Sequence, residues 1–293
     1  MFSMDRADSE KNKTEPGVLY LVATPIGNLS DLSERAIKVL SEVDFIAAED
    51  TRNTAKLLSC FGISKPMVSY YQHNRTERGE AICRRLESGE ACALVTDAGT
   101  PAISDPGEDL VRLCAERKIK VTFIPGACAA VAALALSGLF TGRFAFEGFI
   151  SGAKGERKAR LSELALEERT MIFYEAPHHL LQTLKDFYEA FGDRRIALCR
   201  ELTKINEEVI RTTIGGAVEY YTENQPRGEY VLVIEGGRRE DREQFWAALT
   251  VPEHVRYYID RGMTKNDAVK AAAHDRGVRK NDIYMTVLGE KEN

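Results

Sequence analysis

Apolar positions along the chain fall into short blocks with two alternating spacings. VLYLVA (18–23), FIAAE (45–49), CALV (92–95) and KVTFI (120–124) are short aliphatic runs of the length and composition of buried strands. Between them the spacing changes to three and four. From Asp31 to Val43 the residues Leu32, Ala36, Val39, Leu40 and Val43 share one helical stripe, with Asp31 and Glu34 placed like a capping box. TAKLLSCF (54–61), GEDLVRLCAERK (107–118) and the Ala-rich ACAAVAALALSG (127–138) continue the helical set. Strands alternating with helices in this way predict an α/β fold with mostly parallel pairing.

A second set starts near GRFAFEGF (142–149), with the loop LFTGR as the boundary. It contains a charged helix from Lys154 to Glu168, the strand TMIFYE, a helix from His178 to Phe191, and the strands RIALCRE, EEVIRTT and GEYVLVIEGG. Strands that follow one another without long helices predict a mixed sheet. After EGGRRED, three short helical patterns separated by Gly262 and Gly277 form a small helical unit resembling nucleic-acid-binding modules. The expected organisation is a disordered leader over 1–17, α/β domains over 18–139 and 140–237, and a C-terminal helical unit over 238–293.

Composition narrows the classes. The chain has 293 residues, 44% hydrophobic and 29% charged, as in a soluble globular protein, with no apolar run long enough for a bilayer span. Its formal charge of -5 argues against a protein that coats nucleic acid, DNA included, indiscriminately. Two local basic stretches remain: SGAKGERKAR sets Lys154, Arg157, Lys158 and Arg160 against Glu156, and the segment from His254 to Asp282 sets seven Lys/Arg against four Asp. Solvated helix faces are the ordinary explanation for both, RNA contact the functional one. The six cysteines lack CxxC spacing and the five histidines lack HExxH, so a reducing, cytoplasmic setting without a metal site is expected.

Four loops carry the chemistry. ATPIGNLSD (23–31) follows the first strand, where dinucleotide folds place GxGxxG; neither that motif nor a P-loop occurs in the chain. AAEDTRNTAKLL (47–58) puts Glu49, Asp50 and Arg52 at a strand end, either to meet substrate oxygens or simply to serve a helix N-terminus. VTDAGTPAISDPG (95–107) combines bare backbone at Ala98, Gly99 and Ala102 with the fixed φ of Pro101 and Pro106. Asp105 and Pro106 read as the N-cap and first turn of the next helix. IPGACAAVAALALSG (124–138) opens a helix with almost no bulk, suited to an adenosine or to tight packing.

Together, LVATPIGNLSDLS, AEDTRNTAKLL, VTDAGTPAISDPG, IPGACAAVAALALSGL, FEGF, FYEAPHHL and RELTKINEE resemble the tetrapyrrole-methylase-fold (class III) S-adenosylmethionine methyltransferases, and within them a group acting on 16S rRNA. The resemblance implies two α/β domains of the tetrapyrrole methylase fold with a cofactor cleft between them, in a homodimer. It implies 2'-O-methylation of a cytidine ribose at the decoding centre of the small ribosomal subunit. Carried over by position, it implies that Pro25, Ala98, Gly99, Thr100, Ile103, Cys128, Ala129, Glu175 and Leu202 bind S-adenosyl-L-methionine. Ala98-Gly99-Thr100-Pro101 stands where tetrapyrrole methylases carry a Gly-Gly-Asp-Pro type loop, a departure that argues against a porphyrin-like substrate.

A ribose hydroxyl is a poor nucleophile near neutral pH, so a base or a neighbouring cation must assist it. The candidates are Asp50, Glu147, Glu175 and His178 as acids or bases and Arg52, Arg200 and Lys204 as cations. Asp50 with Arg52 on the substrate side, and Lys204 against a hydroxyl or phosphate, are the favoured assignments. Tyr70, Tyr71 and Phe149 are candidate stacking faces for RNA, and Lys154 to Arg160 and Arg256 to Lys280 its candidate contacts. A small-molecule tetrapyrrole methylase and a non-catalytic ribosome-assembly factor are the rival readings.

Overall fold

The computed structural model describes residues 13–71, 75–237, Trp246 and 249–289. Its first half is a five-stranded, wholly parallel sheet of β1 (Val18–Val22), β2 (Phe45–Ala48), β3 (Met67–Ser69), β4 (Cys92–Val95) and β5 (Lys120–Ile124), in the order β3-β2-β4-β1-β5. Side-chain alternation sorts its two faces. Val18, Tyr20 and Val22 of β1, with Ile46 and Ala93, pack on α1 (Glu34–Glu42) and α2 (Thr51–Cys60). Leu19, Phe45, Ala47, Cys92 and Leu94 face the other way, onto α3 (Arg75–Glu87) and α4 (Glu108–Glu116). The chain leaving β1 therefore departs over one face and the chain leaving β4, its neighbour, over the other.

The second sheet is mixed, as the strand run predicts. β6 (Phe144–Gly148) lies parallel to β7 (Thr170–Glu175), while β8 (Arg195–Arg200), β9 (Glu208–Thr213) and β10 (Tyr230–Ile234) complete the order β6-β7-β10-β8-β9 with antiparallel pairing. One face is covered by α6 (Lys154–Leu164), α7 (Leu180–Phe191) and α8 (Ile214–Glu223). α8 is a helix that the hydropathy pattern does not predict, and Thr213 caps it by accepting from the Gly216 amide. The opposite face receives α5 (Ala129–Ser137): Ala130, Ala133 and Leu134 pack on Ile172, Ala197 and Val233. The expected boundary after residue 139 therefore divides the chain but not the packing, since α5 precedes it in sequence and joins the second sheet.

Local chemistry differs from expectation at the start of α1. Ser33, not Asp31, is its N-cap, accepting from the Ala36 amide at 3.1 Å. Asp31 instead ends a short 3-10 turn, Leu29–Asp31, capped by Asn28. Of the expected leader, residues 1–12 lie outside the described residues, and 13–17 are held on the body. Thr14 donates to Glu42, the Glu15 amide to the Tyr20 hydroxyl, and Glu15 pairs with Lys120.

α9 (Val251–Ile259), α10 (Lys265–Asp275) and α11 (Lys280–Gly289) form the C-terminal unit around Val255, Tyr258, Val269, Ala272 and Ile283. Arg276 ties it together, donating to His254 Nδ1 and to the carbonyls of Trp246 and Leu249. The fully buried His254 faces Asp275 through Nε2, and burial pushes its pKa down. One of the seven cations in this segment is thus structural.

The aromatic stack of Phe173, Phe187 and Phe191 centres the second core, with Phe187 wholly buried. Phe187→Ala is expected to cost about 3–5 kcal/mol, through lost burial plus the cavity left behind, measured by chemical denaturation.

Candidate active site

At the carboxyl edge of the first sheet, β1 and β4 end side by side and their connections diverge, which opens a crevice between them. Its floor is main chain. The Thr24 amide donates to the Gly99 carbonyl at 2.9 Å and the Gly99 amide returns to Thr24 at 3.1 Å. Thr100 donates its hydroxyl to the Ala127 carbonyl at 3.0 Å, fastening the loop after β4 to the turn after β5. Gly99 takes φ +82, and a Cβ there would stand 3.3 Å from Ile26. A Cβ at Gly126 would stand 2.9 Å from that of Ala23. Bare backbone is therefore needed where these loops converge.

The second sheet supplies the facing wall. Tyr174 and Glu175 end β7, Cys199 lies near the end of β8 with Glu201, Leu202 and Lys204 just beyond it, and Glu229 leads into β10 at Tyr230 and Val231. Between the walls lies a cavity of about 420 Å³, within the range of a small-molecule site. Ile26, Ile103, Leu202 and Val231 make it apolar, Ala98, Gly99, Cys128 and Ala129 keep it free of bulk, and Phe149 and Tyr174 add aromatic faces. Four of the five non-glycine residues with positive φ among the described residues bracket this space: Ala102 and Ser104 around Ile103, Glu201 and Thr203 around Leu202. Strain concentrated on both lips is what a preorganised site shows.

Four carboxyl groups line the cavity, Asp105, Glu175, Glu201 and Glu229, against one lysine, Lys204. Three of the acids are engaged. Glu175 accepts from the Thr183 hydroxyl at 2.5 Å and from the Ala176 amide. Glu201 and Glu229 grip Lys204 at 2.9 and 2.8 Å, and Lys204 in turn closes over Gly27, whose Cβ would stand 2.4 Å from the lysine stem. Burial opposes the Lys204 charge, but the two carboxylates outweigh it and hold the ammonium above its usual pKa.

Asp105 is different. The sequence pattern predicts it as the N-cap of α4, but Gly107 at φ 142 holds that position without a side-chain cap, and Asp105 lines the cavity. A Cβ at Gly107 would stand 2.8 Å from Leu94. Burial first, and then the charges of Glu49 and Asp97, push the Asp105 carboxyl up to about 6. Glu49 is itself raised by burial and by Asp97 and Asp50.

Of the residues expected around a cofactor, Ala98, Gly99, Thr100, Ile103, Cys128, Ala129, Glu175 and Leu202 line this cavity; Pro25 does not, although its chain neighbour Ile26 does. Of the expected catalytic trio only Lys204 lines it. Asp50 is instead the N-cap of α2, accepting from the Arg52 amide at 2.8 Å and pairing with its guanidinium at 2.6 Å. The Arg52 hydrogen bonds hold the Asp50 carboxyl down at about 2, and Arg52 projects into solvent. Glu147 is committed to Arg160 and Arg200 to Glu208, while His178 rests its ring against His179. Tyr70 is fully buried, Tyr71 is partly exposed, and Phe149 is 62% exposed at the cavity mouth, edge-on to Tyr174. Among the described residues no three His, Cys, Asp or Glu side chains are arranged to hold a metal, and no helix is long and apolar enough to cross a membrane.

Comparison with known proteins decides the family. The pattern described as Tetrapyrrole (Corrin/Porphyrin) Methylases matches residues 18–218. Proteins called ribosomal RNA small subunit methyltransferase I are 48% identical in Synechocystis, over 93% of this chain and 98% of the relative, and 48% identical in Bacillus subtilis, over 95% and 97%. The chain belongs to the tetrapyrrole methylase family, in the group of these small subunit methyltransferases. Solved structures agree at the level of fold. A cobalt precorrin-4 methyltransferase of cobalamin biosynthesis superposes with TM-score 0.55 at 16% identity, over 75% of this chain and 95% of that one. A diphthine synthase gives 0.54 at 18%, over 75% and 90%.

As a tetrapyrrole methylase, the protein is an S-adenosylmethionine-dependent enzyme, and the cavity fits that group. Its surplus of carboxyl groups suits a sulfonium and an ammonium, and its apolar, low-bulk wall suits a nucleoside. Gly99→Val puts a β-branched side chain at φ +82, against Ile26. Its affinity for S-adenosylmethionine should fall about tenfold or more by calorimetry, with the far-ultraviolet circular dichroism unchanged.

Proposed function

We propose that this methyltransferase transfers the methyl group of S-adenosylmethionine to the ribose 2'-hydroxyl of a cytidine in 16S rRNA, at the decoding centre of the small ribosomal subunit. The observation that carries the reading is near-full-length similarity to small subunit rRNA methyltransferases, on a chain whose cavity opens beside a basic helix. A second hollow, of about 970 Å³, lies between α6 and α7 and shares Phe149, Glu175 and Ala176 with the first. Among the described residues, Arg157 is bound to Asp186 and Arg160 to Glu147 and Glu163, whereas Lys154 and Lys158 have no ion-pair partner. Those two lysines are the phosphate contacts of the basic helix in this reading, and Phe149 is the face on which a splayed base stacks. Arg52, exposed at the same carboxyl edge, is assigned to the RNA backbone with Asp50 as its anchor, outside the cavity where the methyl group moves.

The bound cofactor supplies an activated methyl group with a good leaving group. The chain's own residues supply position: the Thr24–Gly99 bridge fixes the floor, Cys128 and Ala129 leave room for the nucleoside, and Leu202 closes over it. Lys204 spends two of its three donors on Glu201 and Glu229, which leaves one for a hydroxyl or phosphate of the RNA. We further assign the protein to the cytoplasm, where its six unpaired cysteines stay reduced. We also assign it a homodimeric state, since Phe123, Val131, Leu136, Phe140 and Phe144 are all exposed along one stretch of chain. The C-terminal helical unit is assigned to RNA binding.

Purified protein should methylate 30S subunits or 16S rRNA from cells lacking this modification and leave uroporphyrinogen untouched; ribose methylation mapping reads the product. Methylation of uroporphyrinogen alone would reverse the assignment. Lys204→Ala should lower turnover about tenfold or more while leaving cofactor affinity within about twofold. Reversing Lys154 and Lys158 together to glutamate should weaken subunit binding and flatten the log K against log salt slope by about one to two.

A further inference from the structure

We propose that Thr183 and Arg157 are positioning residues for the cofactor site: together they hold the Glu175 carboxylate in the wall that the two hollows share. The inference goes beyond the ribose reading above and rests on Glu175 meeting S-adenosylmethionine, as the family resemblance implies. Glu175, at the end of β7, lines both the cofactor cavity and the hollow between α6 and α7. It is 8% exposed, and Thr183 of α7 is 1% exposed.

A single line of hydrogen bonds joins α6 to this acid. Arg157 donates through Nη2 to the Thr183 hydroxyl at 2.8 Å, and that hydroxyl donates to Glu175 Oε2 at 2.5 Å. Chemistry fixes the direction. A guanidinium only donates, so the Thr183 oxygen must accept from Arg157, and its one proton is left for Glu175. The other carboxylate oxygen, Oε1, accepts from the Ala176 amide at 2.9 Å. With a donor on each oxygen the carboxylate is fixed in rotation, and each oxygen keeps lone-pair capacity for a donor group of the cofactor.

Arg157 is itself held in place. Its Nε donates to Asp186 at 2.6 Å, and Asp186 takes a second bond from Gln182 at 2.8 Å. Bonds in such a chain polarise one another, so the charge of the arginine strengthens the hold on Glu175. Fastening α6 to α7 does not require the whole line, because the Arg157–Asp186 pair already joins the two helices. What the Thr183 hydroxyl adds is a reach to the cavity wall. The task of Arg157 thus differs from that of Lys154 and Lys158 on the same helix, which have no ion-pair partner among the described residues.

The test uses the full-length protein. Thr183→Val keeps the branched side chain and removes the hydroxyl, whereas Thr183→Ser keeps the hydroxyl. Thr183→Val should weaken calorimetric affinity for S-adenosylmethionine about tenfold, and in turnover on 30S subunits it should raise KM for the cofactor by more than it lowers kcat. Thr183→Ser should bring affinity back to within about threefold of wild type. Glu175→Gln should weaken binding at least as much as Thr183→Val. Adding Thr183→Val to Glu175→Gln should then change affinity by less than about threefold, because the hydroxyl has no carboxylate left to hold. Arg157→Lys, which keeps the charge and loses the fork, should weaken binding about threefold and decides the matter if Thr183→Val does not fold. Wild-type affinity in folded Thr183→Val, no recovery in Thr183→Ser, or multiplying effects in the double variant would each overturn the assignment. Wild-type affinity in Glu175→Gln would overturn it through its premise, the contact between Glu175 and the cofactor, and would leave the ribose methylation reading untouched.

Discussion

The reciprocal pair of backbone hydrogen bonds between Thr24 and Gly99 is the constraint on which the rest of the site depends. Two neighbouring parallel strands whose connections leave over opposite faces would otherwise part at their carboxyl ends. Joining the two loops at the point of divergence turns a gap between strands into a floor. The bond pair demands a residue at φ +82 with no side chain to spare, and the apolar lining of Ile26 and Ile103 follows from where that floor directs its flanks. The facing sheet contributes through the strained turn around Leu202, whose Glu201 amide donates to the Glu229 carbonyl, and through the lysine that two glutamates hold over Gly27.

The charge of the cavity follows from these contacts. Each acid but one has its own donors, so the cavity carries negative potential without the penalty of unpaired carboxylates at every position. The exception sits where a neighbouring pair of acids makes ionisation dear. An electronegative room of this sort favours a cationic ligand and disfavours an anionic one.

How much of this was legible in the sequence depended on the range of the interaction. The loops after β1 and β4 announce themselves because glycine, alanine and proline in such density have few other uses, and the alternation along VLYLV states which face is which. Cys128 and Ala129 are visible for the same reason, whereas Glu175 and Leu202 emerge only from the family resemblance. Asp105 misleads, since Asp-Pro before an amphipathic run is a common helix start. Its raised pKa depends on burial and on Glu49 and Asp97, brought near by strand order. The cations of α6 look alike in the sequence, yet Arg157 and Arg160 are spent on acids from α7 and β6 and the lysines are not. Asp50 and Arg52 illustrate the opposite case: their adjacency suggested chemistry, and the nearest partner each found was the other.

The placement of α5 has a consequence for how this enzyme is inherited and engineered. It is encoded with the first sheet but its alanines and Leu134 are covered by the second, so a cut at the covalent midpoint leaves one fragment with an orphaned greasy helix and the other with a bare sheet face. Neither half is a self-sufficient module. Recombination with a related methylase should therefore cross over before Pro125, where the helix travels with the sheet that shelters it.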